Sequence, residues 1–234
     1  MKSFCSLFCA VLFVLTVSQP ANGQLRTEAG LSFAVGVPQG EFGDQVDNLG
    51  FGIDAFGAIG VKGLPIMAGI DLNVLVYGHE RRREPFSTTI PDVTVKVATD
   101  NNMFSGNFFV RLQPDMPVFR PYADALVGFK HLFTQTEITN ESFGEPIASS
   151  TNFDDTAFSY GFGGGMQFRV YNGDNNPEGS ASVYIDLGAK YLIGSEAEYL
   201  KEGSIRRENG KVSYDISKSK TTVLMPYLGV SLSF

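Results

Sequence analysis

The chain has 234 residues, 43% of them hydrophobic, with 18 Lys and Arg against 25 Asp and Glu, a formal net charge of −7 and no Trp. That length suits one domain of barrel or sandwich size, or at most two small ones, and the acidic balance argues against nucleic acid as a partner. After residue 23 no stretch approaches the roughly 18 consecutive apolar residues of a spanning helix, so transmembrane helices are excluded.

Residues 1–23 have the layout of a secretory signal peptide. Lys2 supplies a positive start, residues 7–17 are apolar apart from Cys9 and Thr16, and Ala21-Asn22-Gly23 places small residues at the −3 and −1 positions. Cleavage is expected before Gln24, leaving one domain over residues 24–234. Cys5 and Cys9 would both be removed, so the mature chain would carry no disulfide and no thiol chemistry. Acylation of Cys9 is the competing reading, and the apolar run that continues past Cys9 speaks against it. An exported, acidic, Cys-free chain fits a Gram-negative envelope protein.

From Gln24 onward the chain alternates with a period of two, the signature of strands with one apolar face. In the first strand Ala29, Leu31, Phe33, Val35 and Val37 oppose Glu28, Gly30, Ser32, Ala34 and Gly36. A Gly- and Asp-rich loop over 38–48 leads to the second strand, where Phe51, Ile53, Ile59 and Val61 oppose Asp54, Phe56 and Gly60. After a short turn at 62–65, Ala68, Ile70, Leu72, Val74 and Val76 oppose Asp71, Asn73 and Tyr77. A long polar loop is expected over 79–102, with a strand extension at 93–97. The fourth strand sets Phe104, Phe108, Val110 and Leu112 against Asn107, Phe109 and Arg111. The fifth, after a turn with two prolines, sets Ala123, Ala125, Val127, Phe129 and Phe133 against Tyr122, Asp124, Gly128 and Lys130.

A second long polar loop is expected over 139–155. In the sixth strand Phe158, Tyr160, Phe162, Met166, Phe168 and Val170 alternate with Ser159, Gly161, Gly163, Gly165, Gln167 and Arg169. A turn at 172–179 carries Gly, Asn and Pro. The seventh strand opposes Val183, Ile185, Leu187, Ala189, Tyr191 and Ile193 to Tyr184, Asp186, Gly188 and Lys190, and a polar loop over 201–220 precedes the eighth at 222–234. Eight strands joined by alternately long and short connections give an antiparallel, up-and-down β-barrel.

Alternation alone does not say which face is inside. In a soluble, lipocalin-like barrel the apolar set fills the interior; in a transmembrane barrel it faces lipid. The polar face here is rich in Gly, Ser and Ala, which suits a cramped interior. Its charges nearly balance, with Glu28, Asp54, Asp71, Asp124 and Asp186 against Arg111, Lys130, Arg169 and Lys190. Buried ions must pair or cost several kcal/mol each, so these nine are expected to interlock as a lumen network. Phe51, Phe104, Phe133 and Phe158 fall near the long loops and Phe168 and Phe234 near the short turns, as interfacial girdles do. The expected fold is an eight-stranded transmembrane β-barrel.

The final residues, Tyr227-Leu228-Gly229-Val230-Ser231-Leu232-Ser233-Phe234, resemble the C-terminal insertion signal of outer-membrane barrels, with Tyr227, Gly229, Leu232 and Phe234 at its marked positions. Gly36-Val37-Pro38-Gln39-Gly40-Glu41-Phe42, followed by Gly50-Phe51-Gly52, is similar to the opening hairpin of the small OmpA-like and OmpX-like outer-membrane β-barrel family. The lack of Trp departs from the usual girdle composition. The resemblance implies a monomeric outer-membrane protein with its long loops outward, surrounded by outer-membrane lipid and lipopolysaccharide and recognised during insertion by the barrel-assembly machinery.

Candidate chemistry is sparse. His131 lies on the apolar face between Phe129 and Phe133, and the nearest acid downstream is Glu137. A lipid-modifying site would need a nucleophile and an orienting acid beside it, so an interfacial ring is the expected role. His79 opens a loop. Asp174-Asn175-Asn176-Pro177-Glu178-Gly179 has some calcium-loop character but no acid at the twelfth position, where Ile185 stands, so a plain turn is expected. Arg81, Arg82, Arg83, Arg206 and Arg207 sit on the long-loop side, where lipopolysaccharide phosphates would lie and where Arg could pair bidentately; ordinary solvated loops are the alternative. No catalytic, cofactor-binding or metal-binding set is assigned. The function expected is a non-enzymatic barrel with a filled lumen, acting through its loops in envelope integrity, adhesion or recognition. A narrow pore and, more remotely, a lipid-modifying enzyme are the alternatives.

Overall fold

The computed structural model describes residues 25–87, 90–140, 146–173, 181–208 and 211–234. The expected signal peptide and the 174–179 turn lie outside these residues. The alternating segments form long strands: β1 (Leu25–Pro38), β2 (Gly50–Val61), β3 (Ile66–Ser87), β4 (Ile90–Leu112), β5 (Phe119–Asn140), β6 (Pro146–Tyr171) and β7 (Ser182–Gly194). Four short strands follow, β8 (Glu196–Tyr199), β9 (Ile205–Glu208), β10 (Lys211–Tyr214) and β11 (Ser217–Lys220), and then β12 (Val223–Ser233). One helical turn, α1 (Glu41–Gln45), interrupts the first loop.

The eight long strands close in the order β1-β12-β7-β6-β5-β4-β3-β2, every neighbour antiparallel. Closure is made by β1, whose Glu28 lies opposite Ser233 on one side and Ala58 on the other. The pairing runs to the last residue, since the Phe234 amide donates to the Thr27 carbonyl at 2.9 Å. A ring of this kind leaves no unpaired edge, which is the condition for β-structure in lipid. At the short-turn end the chain reverses between β2 and β3 through Gly63, whose φ of 84° is a left-handed conformation that favours glycine.

The two faces are inverted relative to a soluble barrel. Leu31, Phe33, Ile59, Ile70, Phe108, Val127, Phe162 and Leu187 are all exposed on the outside. Asp54, Asp71, Asp186, Lys130 and Lys190 are each at most 2% exposed. On β3 the outward apolar run from Ile66 to Val76 rises about 25 Å across a membrane, at about 3.3 Å per residue and a tilt of about 40°. Aromatic contacts mark both margins of this belt, Phe33 with Phe51 (6.4 Å between rings) on the long-loop side and Phe119 with Phe168 (5.3 Å) on the short-turn side.

Two expected loops are instead strand. β3 and β4 stay paired, past a bulge at Tyr77, as far as Pro85 and Thr94, and β5 and β6 stay paired with two register shifts as far as Thr139 and Pro146. These strands are 22 to 26 residues long, against about 9–11 needed to cross a bilayer. Their outer halves are polar because the apolar medium has ended there, so the period-two hydrophobic signal vanishes while the backbone ladder continues. The 201–220 stretch likewise holds the β9–β10 hairpin and β11, which pairs with β8.

Candidate functional site

Inward side chains stand in layers along the barrel. Nearest the short turns, Arg26 donates to Glu28 and to Gln113 Oε1 (2.7 Å). Arg120 reaches Glu28 Oε1 and Asp115 Oδ1, both at 3.3 Å, and its guanidinium lies 4.3 Å over the Tyr184 ring. Gln113 passes the network to Gln167 (2.8 Å), and Gln167 donates to Asp186 at 3.2 Å.

The next layer is built on Arg111. Its Nε and Nη2 donate to the two oxygens of Asp124 at 2.8 and 2.9 Å, a bidentate pair between directly opposed residues of β4 and β5. The guanidinium is also enclosed by the rings of Phe56, Phe109 and Tyr122, at 4.6, 5.2 and 3.9 Å. Aromatic faces stabilise a desolvated cation through their quadrupoles, which accounts for two Phe side chains turned into a polar lumen. Tyr122 donates to Asp186 (2.5 Å) and shares a hydrogen bond with Tyr227 (2.7 Å). Gly165 and Gly188 make room for these phenols, because a Cβ at either would meet a tyrosine hydroxyl.

Above the tyrosines, Lys190 binds both oxygens of Asp54 (2.8 and 2.9 Å) and also Asp71. Asn107 donates to the second oxygen of Asp71 at 3.2 Å. Lys130, fully buried, has no carboxylate partner among the described residues; its ammonium donates to the carbonyls of Leu192 (2.8 Å) and Thr221 (2.5 Å). It thereby ties the residues just before β12 to the end of β7.

Of the nine charges expected from the sequence, seven thus sit in carboxylate–cation pairs or in the hydrogen-bond chain that joins them. Lys130 bonds to backbone carbonyls instead, and Arg169 lies half-buried at the short-turn mouth, bonded to Asn172 at 3.3 Å. Sequence reasoning missed Arg26 and Arg120, although Arg26 shares its parity with Glu28 and Arg120 with Tyr122 and Asp124. With these two included, the buried charges among the described residues are five basic (Arg26, Arg111, Arg120, Lys130, Lys190) and five acidic (Glu28, Asp54, Asp71, Asp124, Asp186).

The long-loop mouth is closed differently, by apolar packing. α1 inserts Phe42, 1% exposed, against Tyr77 and Tyr199, with ring centroids 5.7 and 5.1 Å apart. The Tyr77 hydroxyl donates to the Leu200 carbonyl (3.4 Å) and that of Tyr199 bonds Ser219 (2.8 Å). Burial raises the Tyr199 phenol above its usual range. The loop is held from outside by Gln39, whose amide donates to the Thr222 carbonyl at 2.9 Å, and by Glu41, which accepts from the Lys220 amide at 3.2 Å.

The remaining candidates are on the exterior. His131 stacks on Phe133 (5.5 Å) and bonds Thr156 across the β5–β6 ladder at 2.9 Å. His79 pairs with Asp100 at the rim. Arg81 and Arg83 are exposed on the outer half of β3, while Arg82 is half-buried and donates to the Ile205 carbonyl at 3.0 Å. Arg206 and Arg207 lie in the β9–β10 hairpin, opposite Ser213 and Val212. At the other end of the chain Tyr227 is a lumen residue, whereas Phe234 is 46% exposed on the outer wall. Gly229 lies in the wall opposite Ser32 and Asp186, and Leu232 lies opposite Ala29 and Val183.

An apolar exterior about one bilayer tall, a closed backbone ladder and a charged, paired interior define a transmembrane β-barrel of the outer-membrane class. No protein-family model and no curated protein sequence matches the chain. Among solved structures it is similar to Neisserial surface protein A, at 14% identity and a TM-score of 0.40 over 92% of this chain and 98% of that one. It is also similar to the outer membrane protein Ail of Yersinia pestis (15%, 0.37, over 91% and 100%) and to a major outer membrane protein from Thermus thermophilus (12%, 0.43, over 89% and 99%).

Proposed function

We propose that this integral outer-membrane barrel is a non-enzymatic platform, sealed to solutes, that works through the structure it raises above the bilayer. The observation that carries the reading is the pairing of a filled lumen with over-long hairpins. Ten buried charges and the Phe42 cluster occupy the bore, and an eight-stranded barrel has an interior that side chains alone can fill. Strands β3 to β6 continue well beyond the apolar belt, where they serve no membrane-spanning purpose. Envelope integrity, adhesion or recognition of a surface partner is the work this arrangement suits. Export follows from the signal peptide at 1–23, insertion from the C-terminal signal ending in Phe234, and the barrel functions as a monomer. Arg81, Arg83 and Arg206 point to lipopolysaccharide phosphate as the nearest anionic contact, with Arg82 and Arg207 as adjoining positions.

The test has two arms. In planar bilayers the folded barrel should show no unitary conductance, and cells expressing it should gain surface binding that disappears when β3–β4 is shortened to a tight turn between Val76 and Asn102. Steady single-channel currents would replace this reading with the narrow pore. That alternative draws on the Asn73, Ser105 and Ser159 side chains, which are buried in the lumen with polar atoms that no protein group satisfies.

A further inference from the structure

A cleft of about 310 Å³ opens at the long-loop mouth, and Tyr77, which packs on Phe42, forms part of its wall. Three segments meet there: the end of α1 and the residues after it (Gln45, Asp47, Asn48), β3 and β4 just above the belt (Tyr77, Asn101), and the loop after β8 (Lys201, Glu202). Hydrogen bonds fix them to one another. The Lys201 ammonium donates to Gln45 Oε1 at 3.1 Å, the His79 amide to Glu202 Oε1 at 2.8 Å, and the Gly203 amide to Glu80 Oε2 at 3.0 Å. The cleft is therefore largely preformed, at the lower end of the roughly 300–1,000 Å³ of small-molecule sites.

Asn101 separates this cleft from an ordinary gap between loops. It is 2% exposed, and its Oδ1 accepts from Thr134 at 2.7 Å. Its amide nitrogen has no partner among the described residues, and the side chain lines the cleft. Gly78 leaves the room for it, because a Cβ there would lie 2.6 Å from that nitrogen. A buried donor without a partner is costly, so one that borders a cleft points to an acceptor supplied from outside. The rest of the lining mixes functions rather than presenting one charge. Asp47 and Glu202 accept, Lys201 donates, and the Asn48 amide does both. A simple anion would meet two carboxylates, and a simple cation would meet the Lys201 ammonium. Asp47 and Glu202 gather no third acid or histidine at metal-ligand spacing among the described residues. A sugar ring suits the whole set, since each hydroxyl both donates and accepts, while Tyr77 and Val46 offer apolar surface to its C–H edges.

We propose that this cleft binds a single hexopyranose residue of a surface glycan, one ring hydroxyl accepting from the Asn101 amide and others donating to Asp47 and Glu202. This gives a ligand class to the recognition role above and rests on that reading's outward-facing loops. The folded barrel, in micelles of a detergent without sugar headgroups, should bind at least one of a panel of methyl hexopyranosides and N-acetylhexosamines saturably, as followed by saturation-transfer NMR. Asp47 makes no ion pair or hydrogen bond among the described residues, so Asp47→Ala should leave the fold alone and weaken binding about tenfold. Asn101→Asp keeps the oxygen that holds Thr134 and loses the free donor; it should abolish binding while the barrel stays heat-modifiable. Oligosaccharide cleaved from the lipopolysaccharide of the expressing cell separates two sources of the same chemistry. Competition with the bound sugar places the glycan in the protein's own membrane, and its absence places the glycan on another surface. No saturable binding of any sugar, or binding unchanged by both substitutions, would overturn the site. Saturation by a free amino acid or a polyamine in place of sugars would overturn the sugar assignment. Conductance and cell-surface binding are read on other preparations, so a failed titration leaves the platform reading intact.

Discussion

Lys190 shows how a single residue holds the middle of this barrel together. One ammonium faces two carboxylates, Asp54 and Asp71, with all three side chains at most 2% exposed. Removing the cation leaves two like charges in a desolvated space, whereas removing the whole set leaves an apolar gap that packing can tolerate. Lys190→Met should therefore cost about 3–5 kcal/mol, and Lys190→Met combined with Asp54→Asn and Asp71→Asn should recover most of that loss, both measured as urea unfolding in lipid vesicles. Arg111 is held by shape as well as charge, so Arg111→Lys, which keeps the charge, should still lose the two-pronged bond to Asp124 and the stacking on Tyr122, lowering the same unfolding midpoint. Much of this was legible in the sequence: within each strand the charges fall on the inward parity, and over the whole set five acids face four bases. Lys130 was legible in place but not in partner, because backbone carbonyls leave no trace in side-chain identity. Arg26 and Arg120 escaped because they stand at strand ends, where the apolar alternation that defines parity has not yet begun.

At the scale of elements, the strands were readable only as far as lipid dictates their composition. Inside the belt one face must be apolar, and the alternation of Ile66 through Val76 or of Phe158 through Val170 marks the strand plainly. Beyond Val76 the outer face meets water, so Arg81, Arg82 and Arg83 follow one another without a period although the ladder with β4 resumes at Gly78 after a bulge and runs past them. The 5-residue α1 was invisible for a different reason, being too short to display a helical period. Yet α1 matters to the closure of the mouth, because Phe42 is its single buried side chain and fills the space between Tyr77 and Tyr199. Phe42→Ala should cost about 3–5 kcal/mol at that end of the molecule. The loss should appear as faster amide exchange and protease cleavage over residues 39–46 while the β1–β12 pairing stays protected. Uniform loosening of the whole barrel would count against α1 as a separate closing element.

The whole molecule rests on one sign, apolar outside and ionic within, and that sign can be mapped residue by residue. An arginine placed on the outer wall at mid-belt must enter hydrocarbon, at a cost of about 2–4 kcal/mol that falls to about 0–1 near the interfaces. Ile70→Arg and Val127→Arg, at one level of β3 and β5 on either side of Phe108 in β4, should therefore each lower stability in lipid by that larger amount. Val212→Arg, on the β9–β10 hairpin, replaces a side chain just as exposed, at 52% against 50% for Ile70 and 47% for Val127. It should cost almost nothing, because what surrounds it is water. The protein's own atoms cover the three positions alike; only the medium separates them. Reversible unfolding in vesicles, with the folded fraction followed by gel mobility, gives the difference directly. Equal effects at all three positions would mean that the belt is not in a bilayer.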